Sequence, residues 1–450
     1  MFKTLQNALK VKEIRKRLLY TFLVLVVVRL GCQIPTPGIN TEYVAQFFSS
    51  QFGANGSTAM NFFDAMTGGS FSTMSIFALS ITPYITASII IQLLTIAIPA
   101  LEEMQKDGED GRKKITAITR YMNIALSVIE SLSMAIGFGA NNFLEEELGF
   151  LNVTVIVVCM TAGSAFLMWL GEQITDKGVG NGISIILLVN ILSRLPQDLL
   201  SLYNQFIKGK ELAYAGLAAV IILAIIIAMV IFVVILGDAE RHIPVQYAKK
   251  VQGRKLIGGQ SSQIPLKVNT AGVIPIIFAG SILSFPIIIA KFMSIEPASG
   301  AGATLFQKFL KVCNQNSWCN FTSFAEFKYT LGLVVYIAMV IFFAYFYTSI
   351  TFNPLEVANN MKKQGGFIPG IRPGKPTVDY LTKVLNYIIF IGACGLTIAG
   401  VVPIFFSGAF GANVSFGGTS LIIIVGVVLE TMKQIESMML VRHYKGFLND

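Results

Sequence analysis

LAYAGLAAVIILAIIIAMVIFVVIL fills residues 212–236, 25 positions without a charged side chain. A bilayer core is about 30 Å thick, and a helix of roughly 20 apolar residues crosses it. The stretch is long enough to cross. It does not alternate apolar and polar residues as a strand of a membrane barrel would. Nine further runs share its character: Leu18–Ile34, Ile76–Ala100, Ile115–Phe138, Leu151–Leu170, Gly178–Leu195, Ala271–Ala290, Leu331–Ile350, Val384–Phe405 and Leu421–Leu440. Ten such runs predict an all-α polytopic membrane protein. Composition agrees, since 54% of the residues are hydrophobic and 13% charged, against about 25% charged in a soluble domain. A soluble helical protein would have to bury every one of these helices on all sides. Leu18–Ile34 leads into Pro35 and Pro37 rather than a small-residue cleavage site, so it reads as a first span and not as a signal peptide.

Orientation follows from the cations. Of 34 Lys and Arg, 25 fall on the side of the N-terminus and 7 on the other, with Arg29 and Arg120 within or at the edge of spans. An even number of spans places both termini together, on the side this bias marks as cytoplasmic. The outer loops before the fifth span carry only acids: Glu42, Asp64, Glu145, Glu146 and Glu147.

The spans divide five and five, into residues 1–200 and 201–450, joined by a polar outer connection at about Pro196–Leu212. An odd number of spans per half turns the second half upside down. That is the arithmetic of an inverted repeat, whose site lies between the halves near mid-membrane. Three segments depart from simple spans. MNFFDAMTGGSFSTM (60–74) is apolar but too short to cross, which predicts a re-entrant helix sheltered by protein or a water-filled cavity. The loops at about 237–270 and 353–383 are long and basic.

Within FALSITPYITASIIIQLL (77–94), Ile81 and Ile85 lie four apart and share a helix face. Pro83 between them predicts a kink. Ser80, Thr82, Thr86, Ser88 and Gln92 give another face a polar character, as helix packing or a pathway would require. GVGNGISIILL (178–188) opens on glycines and brings Ile183 and Leu187 four apart. GVIPIIFAGSILSFP (272–286) holds Pro275 and Pro286. Interrupted spans in both halves point to a transport pathway. Small-ion carriers keep charges at mid-span. Here Glu130 is the one acid well inside, and Glu430 and Lys433, three apart, are expected to pair. An aliphatic lining would instead exclude small polar species by dewetting. The two histidines, His242 and His443, have no partners at ligand spacing, and no phosphate loop, GxSxG or HExxH occurs, so nothing predicts an enzyme, a metal site or a cofactor.

Cys32, Cys159 and Cys394 lie in spans. Cys313 and Cys319, in VCNQNSWC, share an outer loop and can form a disulfide in an oxidising space or remain thiols. GGFIPGIRPGKPT (365–377) sets Arg372 and Lys375 in a loop stiffened by Gly and Pro, suited to docking a partner or to lying near acidic lipid heads.

The strings FALSITPYITASIIIQLL, GVGNGISI, RHIPVQYAKKVQGRK, IPLKVNTAGVIPIIFAGSI, TFNPLEVANNMKKQGGFIPGIRPG and FGGTSL resemble the SecY family of protein-translocation channels, in the family's order and over essentially the whole chain. The resemblance implies an hourglass pore between two five-helix halves. Its waist would be a ring of Ile81, Ile85, Ile183, Leu187, Ile277 and Ile423. It implies that segment 60–74, with Phe62, Phe63, Met66, Gly68 and Gly69, is a plug. It implies a lateral gate of the second and seventh spans, with Gln92 and Asn269 as polar gate residues, that releases signal sequences and membrane segments into lipid. It implies docking of SecA or a ribosome through Arg254, Lys255, Arg372 and Lys375, with SecE and SecG as companion subunits. Lys255 stands where many members carry a second arginine, and the cysteine loop lies outside the shared pattern. Two other functions make different demands on the sequence. A small-solute secondary transporter with inverted repeats would need a polar midplane site with coupling charges. A poreless scaffold would gain nothing from interrupted spans.

Overall fold

The computed structural model describes residues 8–44, 64–140, 149–208, 212–247, 250–252, 255–257, 261–292, 304–314, 318, 328–410 and 418–446. Each expected apolar run carries a helix. In the first half these are α1 (Lys12–Gly31), α2 (Thr82–Ala97) with its short continuation α3 (Pro99–Lys106), α4 (Glu109–Ala140), α5 (Phe150–Lys177) and α6 (Gly182–Phe206). The second half has α7 (Leu212–Asp238), α8 (Ile274–Phe292), the short α9 (Leu305–Cys313), α10 (Leu331–Thr351), the short α11 (Pro354–Lys363), α12 (Lys375–Phe410) and α13 (Gly418–Gly446). Among the described residues, five helices are by length and composition alone long and apolar enough to cross a membrane, or up to six if the bent α2–α3 pair is one span. The remaining helices carry charged ends or are short.

Three expectations about the spans need correction. The second run is helical only from Thr82, because residues 76–81 form turns, and the chain bends by 105° between Thr82–Thr95 and Pro99–Gln105. The outer connection does not begin at Pro196, because α6 runs through it to Phe206. A proline costs one backbone bond and some crowding, which a long helix packed on its neighbours tolerates. Lys433 does not pair with Glu430 but reaches across to α7, with Nζ 2.9 Å from Asp238 Oδ1 and 3.9 Å from Glu240 Oε1.

The two basic loops are more ordered than a loop reading allows. The first contains an antiparallel pair, β1 (Glu240–Tyr247) and β4 (Ser261–Lys267), with a smaller hairpin, β2 (Lys250–Gln252) and β3 (Lys255–Ile257), between them. The second contributes β5 (Gly366–Phe367), which pairs with the other edge of β1, so the sheet order is β4-β1-β5. Alternation along β1 turns Ile243 and Val245 inward. They meet Leu266, Met361, Ile368 and Leu381 in a small core of their own. Both loops are thereby one body seated on α11 and α12.

Among the spans the apolar side chains gather in distinct clusters. Ile39, Phe71, Leu79, Met134, Ile156 and Met160 form one within the first half. Val233, Ile287, Tyr336, Leu396 and Ile422 belong to a larger one within the second. A third draws on both halves and lies between them. Helix α6 packs on α13, and α4 touches α8, along the same seam.

Candidate functional site

The seam cluster contains all six residues of the expected ring. Ile81, Leu187, Ile277 and Ile423 are buried in it, and Ile85 and Ile183 pack against it half-buried. They come from four separate elements, and local chemistry aims each pair. At α6 the Asn181 side chain caps the helix, accepting from the backbone N–H of Ile183 at 3.2 Å and of Ser184 at 3.4 Å. That cap fixes the first turn and sets Ile183 and Leu187 one turn apart on one face. At α2, Ile81 is the N-cap residue, and its carbonyl accepts from Ile85 N–H at 3.0 Å. Pro83 therefore sits in the first turn, where its missing N–H has no intrahelical partner to lose. The expected kink at Pro83 does not form for that reason. Ile277 comes from the first turn of α8 and Ile423 from the second turn of α13. Val28 of α1, Leu170 and Ile174 of α5, and Met66 are among the other members of the cluster. All six side chains of the expected ring are aliphatic.

Met66 belongs to the re-entrant segment. Residues 64–67 form one helical turn, and turns continue to residue 81. The return leg pairs with the chain leaving α1, with Thr36 N–H to Met74 O at 2.9 Å and Ile76 N–H to Ile34 O at 2.9 Å. Polar side chains hold the outgoing leg. Arg194 of α6 lies 2.5 Å from Asp64, whose carboxylate is fully buried. The other carboxylate oxygen accepts from Ser72 N–H at 2.9 Å. Arg29, in the last turn of α1, donates to Gly68 O at 3.3 Å and to Asn190 Oδ1 at 3.5 Å. Asn190 Nδ2 donates to Met66 O at 3.3 Å and Ser80 Oγ at 3.2 Å. Gly68 has φ +70°, and a Cβ there would stand 2.5 Å from Arg29 Nη1 and 3.0 Å from Asn190 Cα. Only glycine fits that approach. Ser80 itself is left-handed, at φ 51°.

The other expected residues are more scattered. Gly69 has φ +86° and faces Arg194. Phe62 and Phe63 lie outside the described residues. Gln92, in α2, and Asn269, between β4 and α8, are half-buried, and no hydrogen bond joins them among the described residues. Asn269 Oδ1 is buried without a partner. Arg372 and Lys375 are exposed at the tip of the second loop. Its path is set by a turn from Ile368 O to Ile371 N–H at 3.0 Å, with Pro369 and then Gly370 at φ +83° in the central positions, the signature of type II. Lys255 opens β3, and Arg254 lies outside the described residues. Cys313 is a free, buried thiol, which burial pushes up from its ordinary pKa, and Cys319 lies outside the described residues.

Sequence reasoning missed the polar set around the re-entrant segment. Arg29 and Asp64 were visible as charges, but Arg29 and Asn190 stand 161 residues apart. No periodicity links them. The one available signal was the rule that an ionisable group at membrane depth has a partner.

The SecY family model matches residues 75–432. The protein translocase subunit SecY of Halalkalibacterium halodurans is 42% identical over 458 residues, covering 100% of both chains. That of Bacillus subtilis is 42% identical over 457 residues, again covering 100% of both. A solved structure described as "The structure of a protein conducting channel" superposes with a TM-score of 0.60 at 18% identity, covering 95% of this chain and 93% of that one.

Proposed function

The chain belongs to the SecY family, and on that footing we propose that it is a multi-pass channel through which unfolded preproteins cross the membrane and membrane segments pass sideways into lipid. The observation that carries this reading is the convergence of Ile81, Ile85, Ile183, Leu187, Ile277 and Ile423, from four elements of two halves, in one apolar collar. A translocating polypeptide presents every kind of side chain, so a specific site would retard it. Aliphatic groups hold nothing and leave water few hydrogen bonds, so the collar closes around a moving chain and dewets when the chain has left. Segment 60–74, whose Met66 packs in the collar cluster, is the stopper on its outer side.

The finer assignments follow from this reading. Residues 1–200 and 201–450 are the two walls of the pore. The seam between α2, α4 and α8 is the lateral exit, with Gln92 and Asn269 as its polar residues. Both termini and both β-containing loops face the cytoplasm, as the cation bias supports. Arg254, Lys255, Arg372 and Lys375 dock SecA or ribosomal RNA, since an arginine fork pairs with phosphate or carboxylate. Energy comes from such a partner, and SecE and SecG complete the complex. Reconstitution into liposomes with SecA, ATP and a preprotein tests the function. The expected result is preprotein protected from external protease. Full digestion of preprotein, with all subunits present and folded, overturns the reading.

A further inference from the structure

We propose that Asp64–Arg194, Arg29–Gly68 and Asn190–Met66 form a polar latch that holds the re-entrant segment shut over the collar, and that opening the pore requires these contacts to part. The proposal rests on the channel reading above. Asp64, Arg194, Arg29 and Asn190 are positioning residues in it, acting on the collar through the segment they hold.

The segment's grip on the collar itself is slight. Of residues 64–74, Met66 alone belongs to the collar cluster, while Phe71 and Met74 pack into the first-half cluster instead. What fixes the segment across the seam cluster is therefore polar. Two of its carbonyls, of Met66 and Gly68, accept from side chains of α1 and α6. Its one charge faces Arg194 in a fully buried position. Removing one member of such a pair strands the other without compensation, so the pair acts as a unit. The grip is also reversible in kind. Asp64 and Arg194 meet as a close buried ion pair, held by side chains alone. Among the described residues the segment has backbone bonds to the chain leaving α1 and none to α6, so its return leg can stay anchored while the outgoing leg is released.

The test uses the complex with its partner subunits in liposomes. Asp64→Asn and Arg194→Gln should each raise resting ion conductance on the order of tenfold or more. The double variant should leak no more than the leakier single, because both changes remove one interaction. Singles that seal like the parent, or a double variant whose leak is the product of the two, overturn the latch. Asn190→Ala removes the bonds to Met66 and Ser80 and one of the two acceptors of Arg29 while leaving the Asp64–Arg194 pair in place, and it should also leak. It carries the test if the charge variants fail to assemble, and a seal like the parent's then overturns the latch. Preprotein transport on the same vesicles separates the two claims. A parent that passes no preprotein sinks the channel reading. A transporting parent with tightly sealed variants sinks the latch alone.

Discussion

Ile85 and Ile277 meet at the collar from different halves of the chain, and each contributes only hydrocarbon there. Replacing either with Asn sets an amide among aliphatic groups, which costs about 1–3 kcal/mol without a partner and gives water a foothold. Since 1.4 kcal/mol is a factor of ten, the closed state should loosen on the order of tenfold. Conductance of reconstituted vesicles measures this, and signal sequences of reduced hydrophobicity should be accepted more readily. Gly68→Ala should loosen the stopper as well, at about 1–2 kcal/mol for the left-handed backbone, added to its collision with Asn190 Cα. Cys313 makes a different prediction. Its raised pKa means less thiolate at pH 8 than an ordinary cysteine has. Alkylation in the folded protein should therefore be slow and should speed up in denaturant. At this scale four-residue spacing made legible that Ile81 shares a face with Ile85 and Ile183 with Leu187, while their meeting with Ile277 and Ile423 was expected only from the family resemblance. Asp64 and Arg194 were not, because nothing local ties an acid in a short loop to a cation on a helix 130 positions away.

Helices were found where apolar runs are long, and their ends were misjudged where chemistry changes over a single turn. Helix α6 continues past Pro196 into an amphipathic stretch that apolarity alone would end. Pro83 read as a kink because the helix start was placed before it, whereas the turns over residues 76–81 make it a first-turn residue. The strands in the basic loops escaped notice for another reason. β5 is two residues long and exists only because β1 lies beside it. The second loop makes the clearest prediction about an element. Arg372 is exposed beyond a turn fixed by Pro369 and Gly370, so Arg372→Glu should leave the fold and membrane insertion intact while impairing SecA-driven export. Export assayed with purified SecA checks this, and unchanged export removes the docking role.

At the scale of the whole molecule, two clusters each confined to one half and a third shared between them describe walls with a common seam. The re-entrant segment could be read from an apolar run too short to cross, while its role as a stopper came only with the family resemblance. That collar, stopper and seam lie together was expected from the resemblance alone, since it depends on the relative placement of α6, α8 and α13, which no local pattern fixes. The secondary-transporter alternative is not favoured, since the chain belongs to a family of protein-translocation channels. One feature of the latch has a bearing on both routes out of the pore. Arg29, Asp64, Gly68, Asn190 and Arg194 all belong to the first wall. Parting the walls along α4 and α8 breaks none of their bonds. A greasy helix can thus slide edgewise into the lipid while the bolt on the far compartment stays drawn, and only a secreted chain has to withdraw it.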